Sequence, residues 1–86
     1  MFGGEQKLVE IRFINPLLDA VIDRFGTKSV DYSREDERHF CVTANIEISD
    51  QFFGWLLGFG KRAKIIYPDD IAEQFKAYLD KIREMY

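Results

Sequence analysis

Residues 40–48, FCVTANIEI, carry the clearest alternation of apolar and polar side chains in this sequence. This period of two predicts a β-strand with one face toward a core. Residues 29–33 predict a shorter strand before it, and the charged run of residues 34–38 predicts a solvated turn, so the two strands form a hairpin. The core-facing set of the longer strand is Phe40, Val42, Ala44, Ile46 and Ile48.

A strand followed by a helix is predicted on each side of this hairpin. Residues 7–13, KLVEIRF, alternate like a strand, and Asn15 with Pro16 offers a cap and first turn for a helix that ends at Gly26. The apolar positions of that helix are Leu17, Leu18, Val21, Ile22 and Phe25.

After the hairpin, Ser49 can cap a second helix, which Gly58 and Gly60 end. Its apolar stripe is Phe52, Phe53, Leu56 and Leu57. Gly54 is expected to allow close approach of this helix to the sheet, and Gly60 to supply a left-handed turn.

Residues 63–67 predict a fourth strand, which Pro68 stops. Asp70 and Glu73 have the spacing of a capping box for a last helix. The apolar face of that helix is Ile71, Phe75, Tyr78, Leu79 and Ile82, with Tyr86 as a further candidate. Right-handed crossovers place the first two helices on one side of a four-stranded sheet. The predicted fold is α+β, a ferredoxin-like split βαβ sandwich (βαββαβ) with an extra C-terminal helix, forming a single domain over residues 1–86.

Composition narrows the class of protein. The chain has 86 residues, of which 47% are hydrophobic, and this indicates one globular domain. Its net charge of −3 disfavours a broad basic surface that binds phosphate groups. The single cysteine, Cys41, cannot form an internal disulfide and favours a reducing cytoplasm. No signal-peptide pattern is visible, and no apolar run approaches the roughly 20 residues of a spanning helix, so we expect no membrane contact.

Few residues of this sequence could catalyse a reaction or bind a metal ion. His39 and Cys41 could share one face of the third strand and form a nucleophilic pair, but no third group is placed to orient them. One cysteine and one histidine also fall short of a tetrahedral metal site. The carboxylates of residues 35–37 are expected to solvate the turn. We therefore predict no catalytic residue, no metal and no cofactor, and a protein that is not an enzyme.

The sheet face opposite the helices is the expected contact surface. It should display Leu8, Glu10, Arg12, Asp31, Cys41, Thr43, Asn45, Glu47, Lys64 and Ile66. Its central strands carry no aromatic for base stacking, which disfavours single-stranded nucleic acid. The candidate ligand or partner contacts are Arg12, Thr43, Asn45 and Lys64 on the sheet, with Lys61 and Arg62 at the exit of the second helix. Lys61 and Arg62, with Arg24 and Lys28 after the first helix, could add an anion contact. A plain solvated surface is the alternative interpretation.

The sequence also resembles a known family. The resemblance rests on these segments: FFGWLLGFG at residues 52–60, the strand at 63–67, Pro68, a tail helix ending in Tyr86, residues 21–26, and Gly3-Gly4-Glu5 before the first strand. Together they resemble the C-terminal extension (WCX) domain of bacterial WYL-domain transcriptional regulators.

This resemblance implies a ferredoxin-like fold with a part in dimerisation and in the response to an effector. Such regulators place an N-terminal winged helix-turn-helix on DNA and a WYL domain before the extension, and both are absent from these 86 residues. The implied partners are the protein's own WYL domain or a second copy, with a small-molecule or nucleotide effector. DNA would be contacted by the missing N-terminal domain.

Two functions therefore stand against each other. One is a non-catalytic, cytoplasmic regulatory module, and the other is a stand-alone ferredoxin-like domain that binds a small ligand or catalyses a reaction. Reactivity of Cys41 separates them, because an activated thiol would favour an enzyme. Trp55 is expected at the core or its edge, and an exposed partner anchor is the alternative.

Overall fold

The computed structural model describes residues 6–86, so Gly3-Gly4-Glu5 lie outside it. Within residues 6–86, four strands and three α-helices follow the predicted order: β1 (Gln6–Ile14), α1 (Leu18–Phe25), β2 (Asp31–Arg34), β3 (His39–Glu47), α2 (Asp50–Leu57), β4 (Ala63–Tyr67) and α3 (Asp69–Arg83). Short 3-10 turns, Asn15–Leu17 and Gly60–Arg62, precede α1 and β4.

The sheet has the strand order β2-β3-β1-β4, and each neighbouring pair is antiparallel. β3 therefore lies between β1 and β2, the two strands that α1 connects, and this is the split βαβ arrangement. β1 and β3 pair over their full nine residues, from Gln6 opposite Glu47 to Ile14 opposite His39. The predicted ferredoxin-like α+β fold with an added C-terminal helix is confirmed.

The core lies between one face of the sheet and the helices. The predicted alternation holds, because the buried strand residues are Val9, Ile11, Phe13, Phe40, Val42, Ala44, Ile46 and Ile65. The helices add Val21 from α1, Phe52, Phe53 and Leu56 from α2, and Ile71 from α3. Burial of these side chains supplies most of the stabilisation that so short a chain can obtain.

Trp55 lies half-buried at the edge of this core, as predicted. Its ring meets Phe59 edge-on at 4.9 Å and Phe25 edge-on at 5.4 Å between ring centroids. The guanidinium of Arg24 lies 5.4 Å from the centroid of the indole. The aromatic richness of residues 52–60 is therefore mainly packing between α1, α2 and the sheet.

α3 packs on α2 through aromatic rings. Phe53 meets Phe75 and Tyr78 at centroid distances of 5.5 Å each. The predicted role of Gly54 is wrong, because this residue is exposed to solvent and faces away from the sheet. A Cβ on Gly54 would instead lie 3.4 Å from the hydroxyl of Tyr78, so the neighbour that limits this position is α3.

Two of the three predicted helix caps are wrong. Ser49 does cap α2, since its hydroxyl accepts the backbone N–H of Phe52 at 3.2 Å. The side chain of Asn15 caps no helix and donates to the carbonyl of Glu37 at 2.9 Å, which ties the end of β1 to the hairpin turn. α3 begins without a side-chain cap, and Glu73 pairs with Lys76 instead of reaching back toward Asp70.

The chain reverses before β4 at Gly60, whose φ of 60° confirms the predicted left-handed turn. Within residues 6–86, none of the helices combines the length and the apolar composition needed to cross a bilayer.

Candidate functional site: the open face of the sheet

Strand register places the side chains of the open face in rows, because directly opposed residues share a face. The first row runs Ser33, Cys41, Arg12, Lys64 across β2, β3, β1 and β4, and the second runs Asp31, Thr43, Glu10, Tyr67. The third row pairs Asn45 with Leu8.

A β-bulge in β4 changes one end of this face. Between Glu10 and Ile11 of β1, the partner in β4 moves from Tyr67 to Ile65, so Ile66 is the extra residue. The bulge carries Tyr67 onto the open face, where 57% of it is exposed. Strict alternation would assign Tyr67 to the core side, and the sequence carries no signal for the bulge.

The same end of the face is apolar. Leu8 is 52% exposed and lies diagonally across from Tyr67, and Ile66 is 36% exposed. We call Leu8, Ile66 and Tyr67 the apolar end. Three large side chains with exposed apolar surface thus lie at neighbouring positions, which makes this end a candidate contact surface.

Cys41 lies on this face, but the expectation that it is displayed there is wrong, since it is only 4% exposed. Its Sγ donates a hydrogen bond to Oε1 of Glu35 at 3.2 Å. Burial, followed by the hydrogen bond to Glu35, raises the pKa of Cys41 to about 12. Thiolate formation is therefore suppressed, which is the reverse of what a nucleophilic cysteine needs.

Glu35 folds back over the sheet instead of only solvating the turn. Its Oε2 also lies 3.4 Å from Nη1 of Arg12, so one carboxylate contacts both the thiol and the guanidinium. Glu35 thereby covers Cys41, which accounts for the burial of this thiol, while Ser33 and Lys64 of the same row stay exposed.

Asp36 organises the turn itself. Its Oδ1 accepts the backbone N–H groups of Arg38 at 2.7 Å and His39 at 2.9 Å, and it lies 3.0 Å from Nδ1 of His39. These bonds, the one from Arg38 first, lower the pKa of Asp36. His39 thus partners Asp36, and Cys41 partners Glu35, so the structure does not form the hypothetical Cys–His pair.

Glu35, Asp36 and His39 also bring their ligand atoms within 4.8 Å of one another. Sequence reasoning did not consider this set. Two features oppose a metal there: Oδ1 of Asp36 already accepts two backbone N–H groups and contacts Nδ1 of His39, and Glu35 faces the cation of Arg12. These three side chains already have a structural role, because their contacts hold the hairpin turn together.

The opposite end of the open face is basic. A recess of about 20 Å³ is lined by Arg12, Ile14, His39, Lys61, Arg62, Ala63 and Lys64. We call Arg12, Lys61, Arg62 and Lys64 the basic end. Four of the six predicted contact residues therefore meet in one place, although they come from β1, β4 and the 3-10 turn between α2 and β4.

The other two predicted contacts lie elsewhere on the face. Thr43 is half-buried opposite Glu10, and Asn45 is exposed opposite Leu8, beside the apolar end. What any of the six residues binds stays a prediction.

Comparison with known proteins gives a family match. The family model of the WCX domain matches residues 5–83, which is nearly the whole chain. None of the curated proteins matches, and none of the solved structures does. The matched region includes every strand and helix described above, together with both ends of the open face. The chain belongs to the WCX domain family.

Proposed function

We propose that this domain is a non-catalytic regulatory module of a bacterial, cytoplasmic WYL-type transcriptional regulator, contributing to dimerisation and to effector response. Membership of the WCX family supports the regulatory role. The observation that carries the proposal is the division of the open sheet face into the apolar end and the basic end, since two chemically different surfaces suit two different contacts.

The apolar end is the proposed dimer contact, with a second copy of the chain as its partner. Leu8 and Tyr67 are each more than half exposed, and covering such a side chain would contribute about 1 kcal/mol. A two-fold axis through this end brings like apolar surfaces together, as the self-complementary interface of a symmetric dimer requires. The protein's own WYL domain is the other predicted occupant.

The solution mass of the chain tests this contact. Sedimentation equilibrium over a range of concentrations should show a monomer–dimer equilibrium that Tyr67→Ser weakens. Tyr86→Ser is the matched control, because it removes the same side chain from a fully exposed position outside the sheet. Circular dichroism should show that both variants remain folded.

A strict monomer at every concentration would refute the dimer contact and leave the WYL domain as the partner. Equal weakening by Tyr67→Ser and Tyr86→Ser would mean that association does not use the open face.

The alternative, a stand-alone enzyme or small-ligand-binding domain, is not favoured. It requires ionisable groups that converge in a cleft with pKa values shifted toward reactivity. The one candidate nucleophile, Cys41, is buried and has its pKa shifted in the unreactive direction.

A further inference from the structure

The basic end places positively charged side chains next to one another. Arg12 and Lys64 are directly opposed across β1 and β4, on the same face of the sheet. Like charges in that position repel and destabilise a strand pair. The protein has an excess of acidic residues, with a net charge of −3, so this opposed pair does not follow from a general excess of basic residues.

The neighbouring carboxylates only partly offset this charge. Glu35 reaches Arg12 at 3.4 Å, which is long for a charge-assisted hydrogen bond, and Asp36 is held by His39 and the turn. Among residues 6–86, Lys61 and Lys64 have no carboxylate oxygen within 4.0 Å. The basic end is therefore left with two unpaired ammonium groups beside two guanidinium groups.

The surroundings hold part of this cluster in position. Nε of Arg62 donates to the carbonyl of Phe59 at 3.0 Å, and its guanidinium lies 5.9 Å from the centroid of the Phe59 ring. Arg62 is thereby fixed at the 3-10 turn that also carries Lys61. Preorganised cations lose less side-chain entropy when an anion binds.

The charges around the recess favour a compact anion. The recess itself is small, about 20 Å³. Glu35 and Asp36 lie along one side, and Glu10 occupies the next row of the sheet beyond Arg12. A long polyanion that crossed this face would meet all three carboxylates, whereas a single oxyanion between Arg12 and Lys64 would compete only with Glu35 for the guanidinium of Arg12.

We propose that the basic end binds one phosphate group of a small ligand, whose oxygens bridge Arg12 and Lys64, with Lys61 and Arg62 beside them. This assigns a chemical class to the effector, and its regulatory meaning rests on the function proposed above. The bound phosphate replaces the repulsion between Arg12 and Lys64 with two attractive contacts.

Titration of the 86-residue chain with pyrophosphate and with inorganic phosphate at low salt tests the site. Backbone amide NMR shifts should concentrate at residues 12, 39 and 61–64. Lys64→Gln should weaken pyrophosphate binding about tenfold, which is the loss expected for one charge-assisted contact. Lys28→Gln is the control, because it removes the same charge from the exposed loop that leads into the start of β2, away from the basic end.

A second measurement separates loss of binding from loss of folding. Because Lys64→Gln removes the repulsion with Arg12, its urea midpoint in phosphate-free buffer should equal or exceed that of the wild type. An unchanged or higher midpoint together with tenfold weaker binding supports the site. A lower midpoint would show that Lys64 stabilises the fold, and would overturn the argument from like charges.

Three further results would overturn the proposal. One is a titration in which no amide of the basic end shifts with millimolar pyrophosphate. Another is equal weakening by Lys64→Gln and Lys28→Gln, which would indicate attraction to net charge alone. The third is tighter binding of a single-stranded oligonucleotide, with shifts spread over the whole face, which would identify a nucleic-acid surface instead.

Sedimentation equilibrium on the same samples separates this inference from the proposed function. A chain that dimerises through the apolar end but ignores phosphate contradicts only the phosphate site. A chain that binds phosphate at the basic end but stays monomeric supports the site and contradicts the dimer contact.

Discussion

Replacing Trp55 by alanine tests whether the aromatic cluster at the edge of the core stabilises the fold. The indole contacts Phe13, Phe25, Phe52 and Phe59, with Arg24 over its face. Truncation of a fully buried tryptophan costs about 3–5 kcal/mol. Trp55 is half-buried, which reduces the transfer contribution, but aromatic pairs add about 0.5–1.5 kcal/mol each beyond burial. We therefore expect Trp55→Ala to lower the free energy of unfolding by about 2–4 kcal/mol.

Urea unfolding followed by far-ultraviolet circular dichroism measures this loss. Tryptophan fluorescence cannot be used, because Trp55 is the only tryptophan. The midpoint should fall by about 1–2 M, given a slope near 2 kcal/mol per M for a small domain. Tyr86→Ala, which removes an aromatic that is fully exposed, should change stability by less than about 0.5 kcal/mol.

A Trp55→Ala variant with an unchanged midpoint would refute the packing argument. If that variant also lost self-association, Trp55 would be a partner anchor, which is the alternative that the sequence left open.

The hydrogen bonds of the hairpin turn predict the reactivity of Cys41 and the pH dependence of stability. Cys41 should react with a neutral thiol reagent at pH 8 far more slowly in the folded chain than in urea, because burial and Glu35 raise its pKa to about 12. Labelling at the rate of the unfolded chain would contradict the buried thiol. Asp36 has a lowered pKa in the folded state, so its stabilisation is present above the ordinary aspartate pKa of about 3.9 and is lost as the pH falls through its folded value. The free energy of unfolding of the wild type should therefore fall more steeply with acidification below about pH 4 than that of Asp36→Asn, and identical slopes in the two proteins would refute this role.

Much of the fold could be predicted from local patterns. The alternation of residues 40–48 defines which side of β3 meets the core, and the helical spacing of Phe52, Phe53 and Leu56 does the same for α2. Each period is a property of a single segment, so it can be recognised without knowing what the segment packs against. Helix starts were harder to predict, because the side-chain amide N–H of Asn15 donates to the carbonyl of Glu37 in the hairpin turn, and its side-chain oxygen accepts no helix N–H.

The candidate site could be predicted only in part. Arg12, Lys61, Arg62 and Lys64 were all expected on or beside the open face, and the structure gathers them at one recess. The sequence could not show that Arg12 opposes Lys64, since register between β1 and β4 is a non-local property. For the same reason it could not show that Glu35 would cover Cys41.

The sequence by itself determined the order of strands and helices, the apolar faces of β1 and β3, most of the apolar face of each helix, and the presence of lysines and arginines near the end of α2. Only the tertiary structure decided which of those charges are neighbours and which apolar side chains stay exposed. The bulge at Ile66 illustrates the reason: one extra residue in β4 carries Tyr67 from the core side to the open face. The face on which Tyr67 lies depends on the hydrogen bonds between β1 and β4. Because these two segments are about 50 residues apart, the bulge cannot be read from the periodicity of either one.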